Sequence, residues 1–307
     1  MAKREEISNS ASEWNSLYNI TTKLFRIAPW GEYTADSFFS ICDEESNEYF
    51  LSFNNGIHCL PGVDGLRSYI RMLHNRGDEL IEIALRSIAI TRSKEGLEYK
   101  SYLPGYVPWS LNDYEVKLLH RVYGQAIPLI EWVANESPMV DYTKLESPTR
   151  RYDQKRREWV HEVRRLQLPP IPPKVIELPD EMTLYRIANR HSVNAILEID
   201  VFTIMKQSTE EGYDRPFYPT MIIIAEQSRN VVLDVKLVPP GGDIPEETIE
   251  AIIEFIEKHG RPTLMFVQAQ ETYGMLYGFA EEVKLPLRVA GFLSAVNYYK
   301  LEKGIDT

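Results

Sequence analysis

The chain has 307 residues, of which 44% are hydrophobic and 26% charged, and its formal net charge is −11. This composition indicates a folded globular protein of about two domains, and the acidic balance disfavours nonspecific binding to nucleic acid, which needs a positive surface. No apolar run approaches the ~20 residues that span a bilayer, and the N-terminus lacks the apolar centre of a secretory signal. We therefore expect a cytoplasmic protein with no membrane partner.

The first half of the chain alternates helical and extended patterns. Trp14, Leu17 and Leu24 have helical spacing, and Pro29 is expected to end that helix. Short strands are predicted at "SFFSICD", "EYFLSFN", "GIHCL" and "LEYKSYL", and helices at "VDGLRSYIRML" and "SLNDYEVKLLHRVYGQAIPLIEWVAN". The sequence thus predicts an α+β domain over residues 1–143.

Residues 144–180 differ from the rest in charge and proline content. Between Lys144 and Lys174 there are nine Lys/Arg and four Asp/Glu, and the stretch from Leu166 to Asp180 holds five prolines. Proline excludes a helix and favours a stiff, extended chain, so we expect a basic, Pro-rich connector. The basic run is interpreted either as a solvated surface with interspersed ion pairs or as a nucleic-acid-binding segment over residues 150–165, with Arg150, Arg151, Arg156 and Arg157 as its candidate phosphate ligands.

The second half has the clearer pattern. Strands are predicted at "AILEIDVFTIM", "PTMIIIAE" and "VVLDVKLV", and the second and third should form a hairpin. A helix at "PEETIEAIIEFIEKHG", a strand at "TLMFVQ", a helix at "ETYGMLYGFAEEVK", a strand at "LPLRVAG" and a helix at "LSAVNYYKLEK" follow. The sequence predicts an α/β domain over residues 181–307 with the order β-β-β-α-β-α-β-α.

This order of elements resembles the ribonuclease H-like fold, a mixed sheet shared by ribonuclease H, retroviral-type integrases and many transposases. The resemblance implies two divalent metals held by carboxylates on the first strand, at the end of the fourth strand and on a helix, since hard cations prefer oxygen ligands. On the first strand, Glu198 and Asp200 are two residues apart and should project from the same face of the sheet.

The fourth-strand position departs from that pattern. The strand ends in Gln268 and Gln270, whose neutral amides supply no charge, and Glu271 is the nearest carboxylate. An alternative interpretation places Glu198 and Asp200 at a solvent-exposed strand edge or in an ion pair with a nearby arginine. The candidate catalytic residues are therefore Glu198, Asp200 and Glu271, of which Glu198 and Asp200 are the candidate metal ligands.

Several longer stretches resemble a bacterial family of two-domain proteins of unknown function. They are "EWNSLYNITTKLFRIAPW", "NGIHCLPGVDGLRSYI", "RPFYPTMIIIAEQSRNVVLDVKLVPPG" and "PEETIEAIIEFIEKHGRPTLMFV". The resemblance implies a division into two domains and no particular reaction.

The sequence favours a noncatalytic binding or interaction protein, with an unidentified protein or small molecule as partner and a degenerate ribonuclease H-like domain. The first alternative is a phosphodiester-cleaving enzyme that uses Glu198, Asp200 and Glu271 with Mg²⁺ or Mn²⁺; otherwise no cofactor is expected. The second alternative is nucleic-acid binding through residues 150–165. The sequence predicts no oligomeric state.

Overall fold

A computed structural model describes residues 2–27, 37–75, 78–170 and 175–305, with only the backbone described at residues 2–10 and at Glu79. The chain divides into two compact units, residues 1–170 and residues 171–307, which we call the N-unit and the C-unit. The predicted helix end at Pro29 and the prolines at 172 and 173 lie outside the described residues. No helix in the described ranges is long and apolar enough to cross a membrane.

The N-unit is built on a seven-stranded mixed sheet with the order β5-β4-β3-β2-β1-β6-β7. Its strands are β1 (Phe39–Cys42), β2 (Glu48–Ser52), β3 (Ile57–Pro61), β4 (Ser87–Arg92), β5 (Leu97–Tyr102), β6 (Glu146–Asp153) and β7 (Glu158–Arg165). Strands β1 to β5 form an antiparallel meander. Strand β6 joins β1 in parallel, and β7 pairs with β6 antiparallel.

Helices cover both faces of this sheet. They are α1 (Ala2–Ile27), α2 (Gly62–His74), α3 (Glu79–Ile83) and α4 (Asp113–Glu136), with a 3-10 turn at Tyr142–Lys144. Helix α4 begins with a capping box in which Asn112 and Glu115 satisfy each other's backbone amides. Helices α1 and α4 pack on the face that carries Leu51 and Ile90, and α2 packs on the face that carries Phe50 and Leu60. A mixed helix and strand composition is confirmed for this unit.

The prediction of a connector over residues 144–180 is wrong for residues 146–165. These residues form the β6–β7 hairpin, which is hydrogen-bonded into the sheet of the N-unit. Arginines and glutamates hide the alternation of apolar and polar side chains along β6 and β7. Many positions of these strands are half-buried, and such positions accept long charged side chains whose ends reach water. The turn between these strands, residues 154–157, carries three of the basic residues.

The C-unit is built on a five-stranded mixed sheet with the order β10-β9-β8-β11-β12. It consists of α5 (Glu181–Ala188), β8 (Ile196–Thr203), β9 (Thr220–Glu226), β10 (Val231–Val238), α6 (Ile244–His259), β11 (Leu264–Val267), α7 (Gln270–Glu282), β12 (Leu287–Val289) and α8 (Ser294–Lys303). Strands β8, β9 and β10 are antiparallel neighbours, and β11 runs parallel to both β8 and β12. Strand β8 therefore lies in the centre of the sheet.

Alternate residues of β8 face the two apolar cores on opposite faces of the C-unit sheet. Leu197 and Ile199 pack with α5, α6 and α7 on one face of the sheet. On the other face, α8 packs through Ala295 and Val296 against Ile223 and its neighbours. Because side chains alternate along a strand, Glu198 and Asp200 project toward α8.

Candidate functional site

Glu198 is completely buried and accepts five hydrogen bonds. Its Oε1 atom accepts from the backbone N–H of Ser294 at 2.9 Å, from Ser294 Oγ at 3.0 Å and from Gln227 Nε2 at 2.9 Å. Its Oε2 atom accepts from the backbone N–H groups of Ala295 at 2.7 Å and Val296 at 3.2 Å. Both carboxylate oxygens are thus bound to the first turn of α8.

The local sequence of α8 explains this arrangement. The first amides of a helix have no partner within the helix, and a side chain just before it usually accepts from them. Here Leu293 stands at that position and provides no side-chain acceptor. Glu198 reaches across from β8 and supplies a negative charge at the positive end of the helix, where the helix dipole stabilises it.

Asp200 is the second buried acid of β8, and it forms an ion pair. Lys300 Nζ donates to Asp200 Oδ2 at 2.6 Å, and each of these residues is 6% exposed. The ammonium also lies 3.7 Å from the centre of the Phe202 ring, close enough for a cation–π interaction. The other carboxylate oxygen of Asp200 accepts from the backbone N–H of Val201. A cation from the chain itself therefore neutralises Asp200.

The predicted shared face of Glu198 and Asp200 is confirmed, because both side chains contact α8. The solvent-exposed alternative is wrong, since β8 is the central strand and both acids are buried. Asp200 does form an ion pair, but its partner is Lys300 and not the arginine that the alternative expected.

The third candidate carboxylate does not join this pair. Glu271 is exposed in the first turn of α7, a helix that packs on the opposite face of the sheet from α8. Gln268 and Gln270 are also exposed. Within the described ranges, no group of three or more His, Cys, Asp or Glu side chains has an arrangement that could hold a metal ion.

Arg150 is the first of the four arginines predicted to bind nucleic acid, and its side chain makes contacts within the N-unit. Its Nε atom donates to Gln125 Oε1 at 2.9 Å, its Nη1 atom lies 2.6 Å from His161 Nε2, and its guanidinium carbon lies 5.3 Å from the centre of the Trp159 ring. Burial first and the Arg150 charge second lower the pKa of His161, so the neutral ring can accept a hydrogen bond from Arg150. The ring of Trp132 stacks on His161. Arg150 is therefore part of the packing between α4 and the β6–β7 hairpin.

The other three arginines are placed differently. Arg151 forms an ion pair with Glu162 at 2.8 Å, and this pair raises the pKa of Arg151. Arg156 is exposed and lies 3.8 Å from a carboxylate oxygen of Glu158. Arg157 is exposed in the turn, with a positive φ of 55°. The turn at 154–157 thus presents Arg156 and Arg157 to solvent, and Arg150 lies apart from them against α4.

A cavity of about 210 Å³ also lies in the N-unit, between α4 and the ends of β1 and β7. Its wall includes Trp159, Tyr49, Arg121, Gln125 and Asp43. Burial first and Asp43 second raise the pKa of Tyr49 to about 12, so its hydroxyl stays protonated and donates to Asp43 Oδ2. The sequence did not indicate this cavity, because its residues come from four separate elements.

The residues that define the site in the C-unit include several that sequence reasoning missed. Lys300 and the first turn of α8 determine what Glu198 and Asp200 do. A signal for Lys300 was present, since it follows Val296 by four residues and so falls on the buried face of an amphipathic helix. The absence of a capping residue at Leu293 was a second signal.

Comparison with known proteins adds a family match for part of the chain. Residues 183–301, within the C-unit, match the family model described as "Domain of unknown function (DUF6930)". This agrees with the resemblance to an uncharacterised family in that part of the chain. No curated protein matches the chain.

Solved structures similar to this chain include two of the catalytic core domain of the integrase from HTLV-2 in complex with magnesium. The dimeric form is 16% identical, with 36% of this chain and 74% of that chain covered and a TM-score of 0.25. The trimeric form gives the same identity and TM-score, with 73% of its chain covered.

Proposed function

We propose that this protein is a noncatalytic binding or interaction protein. Its C-unit is a ribonuclease H-like domain in which the acids of the first strand hold the last helix instead of binding metal. One observation carries the proposal: both carboxylate oxygens of Glu198 are occupied by the backbone amides of α8.

The topology of the C-unit supports the fold assignment. Its first strand, β8, is central, with the antiparallel β9 and β10 on one side and the parallel β11 and β12 on the other. A ribonuclease H-like sheet has this arrangement, in which three antiparallel strands are extended by two parallel ones. The connections from β10 onward alternate helix and strand as that fold requires.

Two-metal catalysis requires carboxylate oxygens that face a common, open cavity. In the C-unit, the region in front of Glu198 and Asp200 is filled by α8, whose Ala295 and Val296 belong to the core on that face. A metal could reach Glu198 only if the first turn of α8 moved away and left its amides without partners. A metal at Asp200 would also have to displace Lys300.

The remaining positions of the nuclease pattern also favour a noncatalytic domain. The fourth strand is followed by Gln268, a neutral side chain exposed to solvent. Glu271 lies in the first turn of α7, on the other side of the sheet from α8. The alternative of a phosphodiester-cleaving enzyme that uses Glu198, Asp200 and Glu271 is therefore less well supported.

A cytoplasmic location is part of the proposal. Cys42 and Cys59 are both free thiols, and Cys59 is buried in the core of the N-unit. Free, buried cysteines fit a reducing compartment.

The proposal is tested with the full chain in an assay for cleavage of single-stranded and double-stranded DNA and RNA in the presence of Mg²⁺ or Mn²⁺. We expect no cleavage above a buffer control. Cleavage that is lost in Asp200→Asn would overturn the proposal. Because that substitution can impair folding, Glu271→Gln provides a second test, with Glu302→Gln as the control at another exposed acid of the C-unit. Cleavage lost in Glu271→Gln and kept in Glu302→Gln would also overturn it.

A further inference from the structure

Strand β10 is an outer strand of the C-unit sheet. It pairs with β9 on one side, and no other strand of the described residues pairs with its second side. It has eight residues, and three of its apolar side chains are exposed: Val231 by 46%, Leu233 by 39% and Leu237 by 55%. A long outer strand with exposed apolar side chains is a template for pairing with another strand.

The part of β10 that can accept a further strand is regular. A β-bulge lies between Val232 and Asp234, and from Asp234 to Val238 every residue pairs in order with β9. Asp234 and Lys236 lie on the face of the sheet that carries α6, where Lys236 donates to Glu247 at 2.8 Å. Val235 lies on the α8 face and packs against that core.

We propose that β10 pairs with β10 of a second copy of this chain, in an antiparallel register centred on Val235. In that register Val235 of one copy lies opposite Val235 of the other. Asp234 of each copy lies opposite Lys236 of the other, so these pairs lie within the regular part of the strand after the β-bulge. The two-fold axis repeats each contact, as in any isologous interface.

Charge complementarity selects this register. Side chains directly opposite each other in an antiparallel pair lie on the same face of the sheet. Two opposite residues therefore differ by an even number of positions in the sequence, and the two-fold axis passes between the two copies of a single residue. An axis through Asp234 would place the two Asp234 carboxylates opposite each other, and an axis through Lys236 would do the same with the ammonium groups. Like charges in such positions are destabilising and opposite charges are stabilising. The axis through Val235 is the one between them, and it forms two opposite-charge pairs.

The individual side chains fit their roles in this dimer. Asp234 acts electrostatically on Lys236 of its own chain, and among the described residues it makes no closer ion pair, so its carboxylate can also contact the second copy. Lys236 is already held by Glu247, and its ammonium has further donors to share. Pro239 and Pro240 follow directly and end the strand, which limits pairing to a short segment.

The dimer would join two five-stranded sheets into one continuous sheet of ten strands. A contact made by one short strand from each copy is smaller than the roughly 1,200–2,000 Å² of a stable interface. We therefore expect a dimer that dissociates on dilution. The formation of this dimer does not depend on whether the C-unit is catalytic or noncatalytic.

The first experiment is sedimentation equilibrium of the full chain over a concentration series, with charge variants. We expect a monomer–dimer equilibrium that Asp234→Lys weakens by about tenfold or more, because two opposite-charge pairs become two like-charge pairs. The variant Asp234→Lys with Lys236→Asp and Glu247→Lys restores opposite charges between the copies and keeps an opposite charge beside residue 236. It is expected to dimerise within about threefold of the original chain. Glu211→Lys, an exposed site in the loop before β9 with the same change of net charge, serves as the control and should leave the dimer unchanged.

The second experiment uses disulfide formation and does not depend on how the charge variants fold. Opposite residues of an antiparallel pair have Cα atoms roughly 4.5–5.5 Å apart, a distance that a disulfide accepts. Val235→Cys should therefore give a covalent dimer under mild oxidation, whereas Val231→Cys should not, because its two copies would be more than about 20 Å apart along the strands. A chain that is monomeric throughout, a dimer unaffected by Asp234→Lys, or equal crosslinking of the two cysteine variants would overturn the proposal.

Discussion

Lys300 Nζ lies 2.6 Å from Asp200 Oδ2, and both side chains are buried between α8 and the central strand of the C-unit. An ammonium group of the chain itself thus lies next to Asp200, a carboxylate that the phosphodiester-cleaving alternative would use to bind a metal cation. With Glu198 bound to the first turn of α8 and Asp200 bound to its last turn, the two acids of β8 attach this helix at both ends.

Removal of the lysine charge should strongly destabilise the C-unit. In Lys300→Met the Asp200 carboxylate stays buried without its cation, and breaking a buried pair in this way costs about 3–5 kcal/mol. All five tryptophans precede residue 171, so unfolding of the C-unit is best followed by circular dichroism or by hydrogen exchange of β8 and β9. Lys303→Met, at an exposed position of the same helix, is the control. A loss below about 1 kcal/mol would contradict the structural role of the pair.

Replacement of both partners should be milder than replacement of one. Apolar residues of similar volume often substitute for a buried ion pair at little cost. The double variant Asp200→Leu with Lys300→Met is therefore expected to recover most of the stability lost in Lys300→Met. A urea titration followed by circular dichroism measures the free energy of unfolding of both variants. A double variant less stable than the single one would show that the two side chains act independently.

Glu198→Gln should also destabilise the C-unit, through the cap of α8. A glutamine amide presents one acceptor oxygen and an NH₂ group to five donors, so part of the helix terminus loses its partner. Hydrogen bonds to charged groups contribute about 1.5–3 kcal/mol each, and we expect a loss of about 3 kcal/mol in the free energy of unfolding. Faster hydrogen exchange at Ala295 and Val296 would locate the effect, and Glu271→Gln should leave both measurements unchanged.

The stability of the N-unit should fall in mild acid because of His58. Its Nδ1 atom is buried without a hydrogen-bond partner in the described residues. Burial lowers the pKa of His58 from 6.5 to about 4, against a smaller opposing effect of a backbone hydrogen bond at Asn54. The unfolded chain therefore binds a proton between pH 6.5 and 4 that the folded chain excludes, so stability is full above pH 6.5 and is lost as the pH falls toward 4.

This loss should be at most about 3 kcal/mol, and less to the extent that water reaches the ring. Tryptophan fluorescence in urea at pH 7 and pH 4.5 measures it, because all tryptophans lie in the N-unit sequence. His58→Gln should remove this part of the pH dependence, and His74→Gln, at an exposed position of α2, should keep it. Equal pH dependence in both variants would assign the effect to other groups.

The four arginine candidates should separate into structural and exposed groups. Arg150→Ala should lower the stability of the N-unit, since it removes the contacts to Gln125, His161 and Trp159. The double variant Arg156→Glu with Arg157→Glu should keep the free energy of unfolding within about 0.5 kcal/mol of that of the original chain, as is usual for surface positions. The same double variant tests nucleic-acid binding: salt-sensitive binding by the original chain that this variant removes would support the basic turn as a nucleic-acid site.

The sequence predicts more of the fold in the C-unit than in the N-unit. In the C-unit, apolar runs bounded by strong helix caps predict the observed series of elements from β8 to α8, because each pattern is local. In the N-unit, the sequence does not indicate the β6–β7 hairpin, because its strands carry charged side chains. The hairpin joins the sheet through β6, which pairs with β1, more than a hundred residues earlier. Parallel pairing over such a distance leaves no local signal.

The candidate site was predictable in position and not in chemistry. Two acids on an apolar strand identify Glu198 and Asp200 as unusual, and period-two alternation places them on one face. Their partners come from α8, about a hundred residues later. Only the packing of that helix shows that the acids bind amides and an ammonium group.

The most direct test of the central claim is a titration of the full chain with Mn²⁺ by isothermal calorimetry, together with the same titration of Asp200→Asn. If Glu198 and Asp200 hold α8, the original chain should show no Mn²⁺ binding that depends on Asp200, and the two titrations should be the same. Saturable binding of Mn²⁺ to the original chain that disappears in Asp200→Asn, with both proteins folded by circular dichroism, would contradict the account.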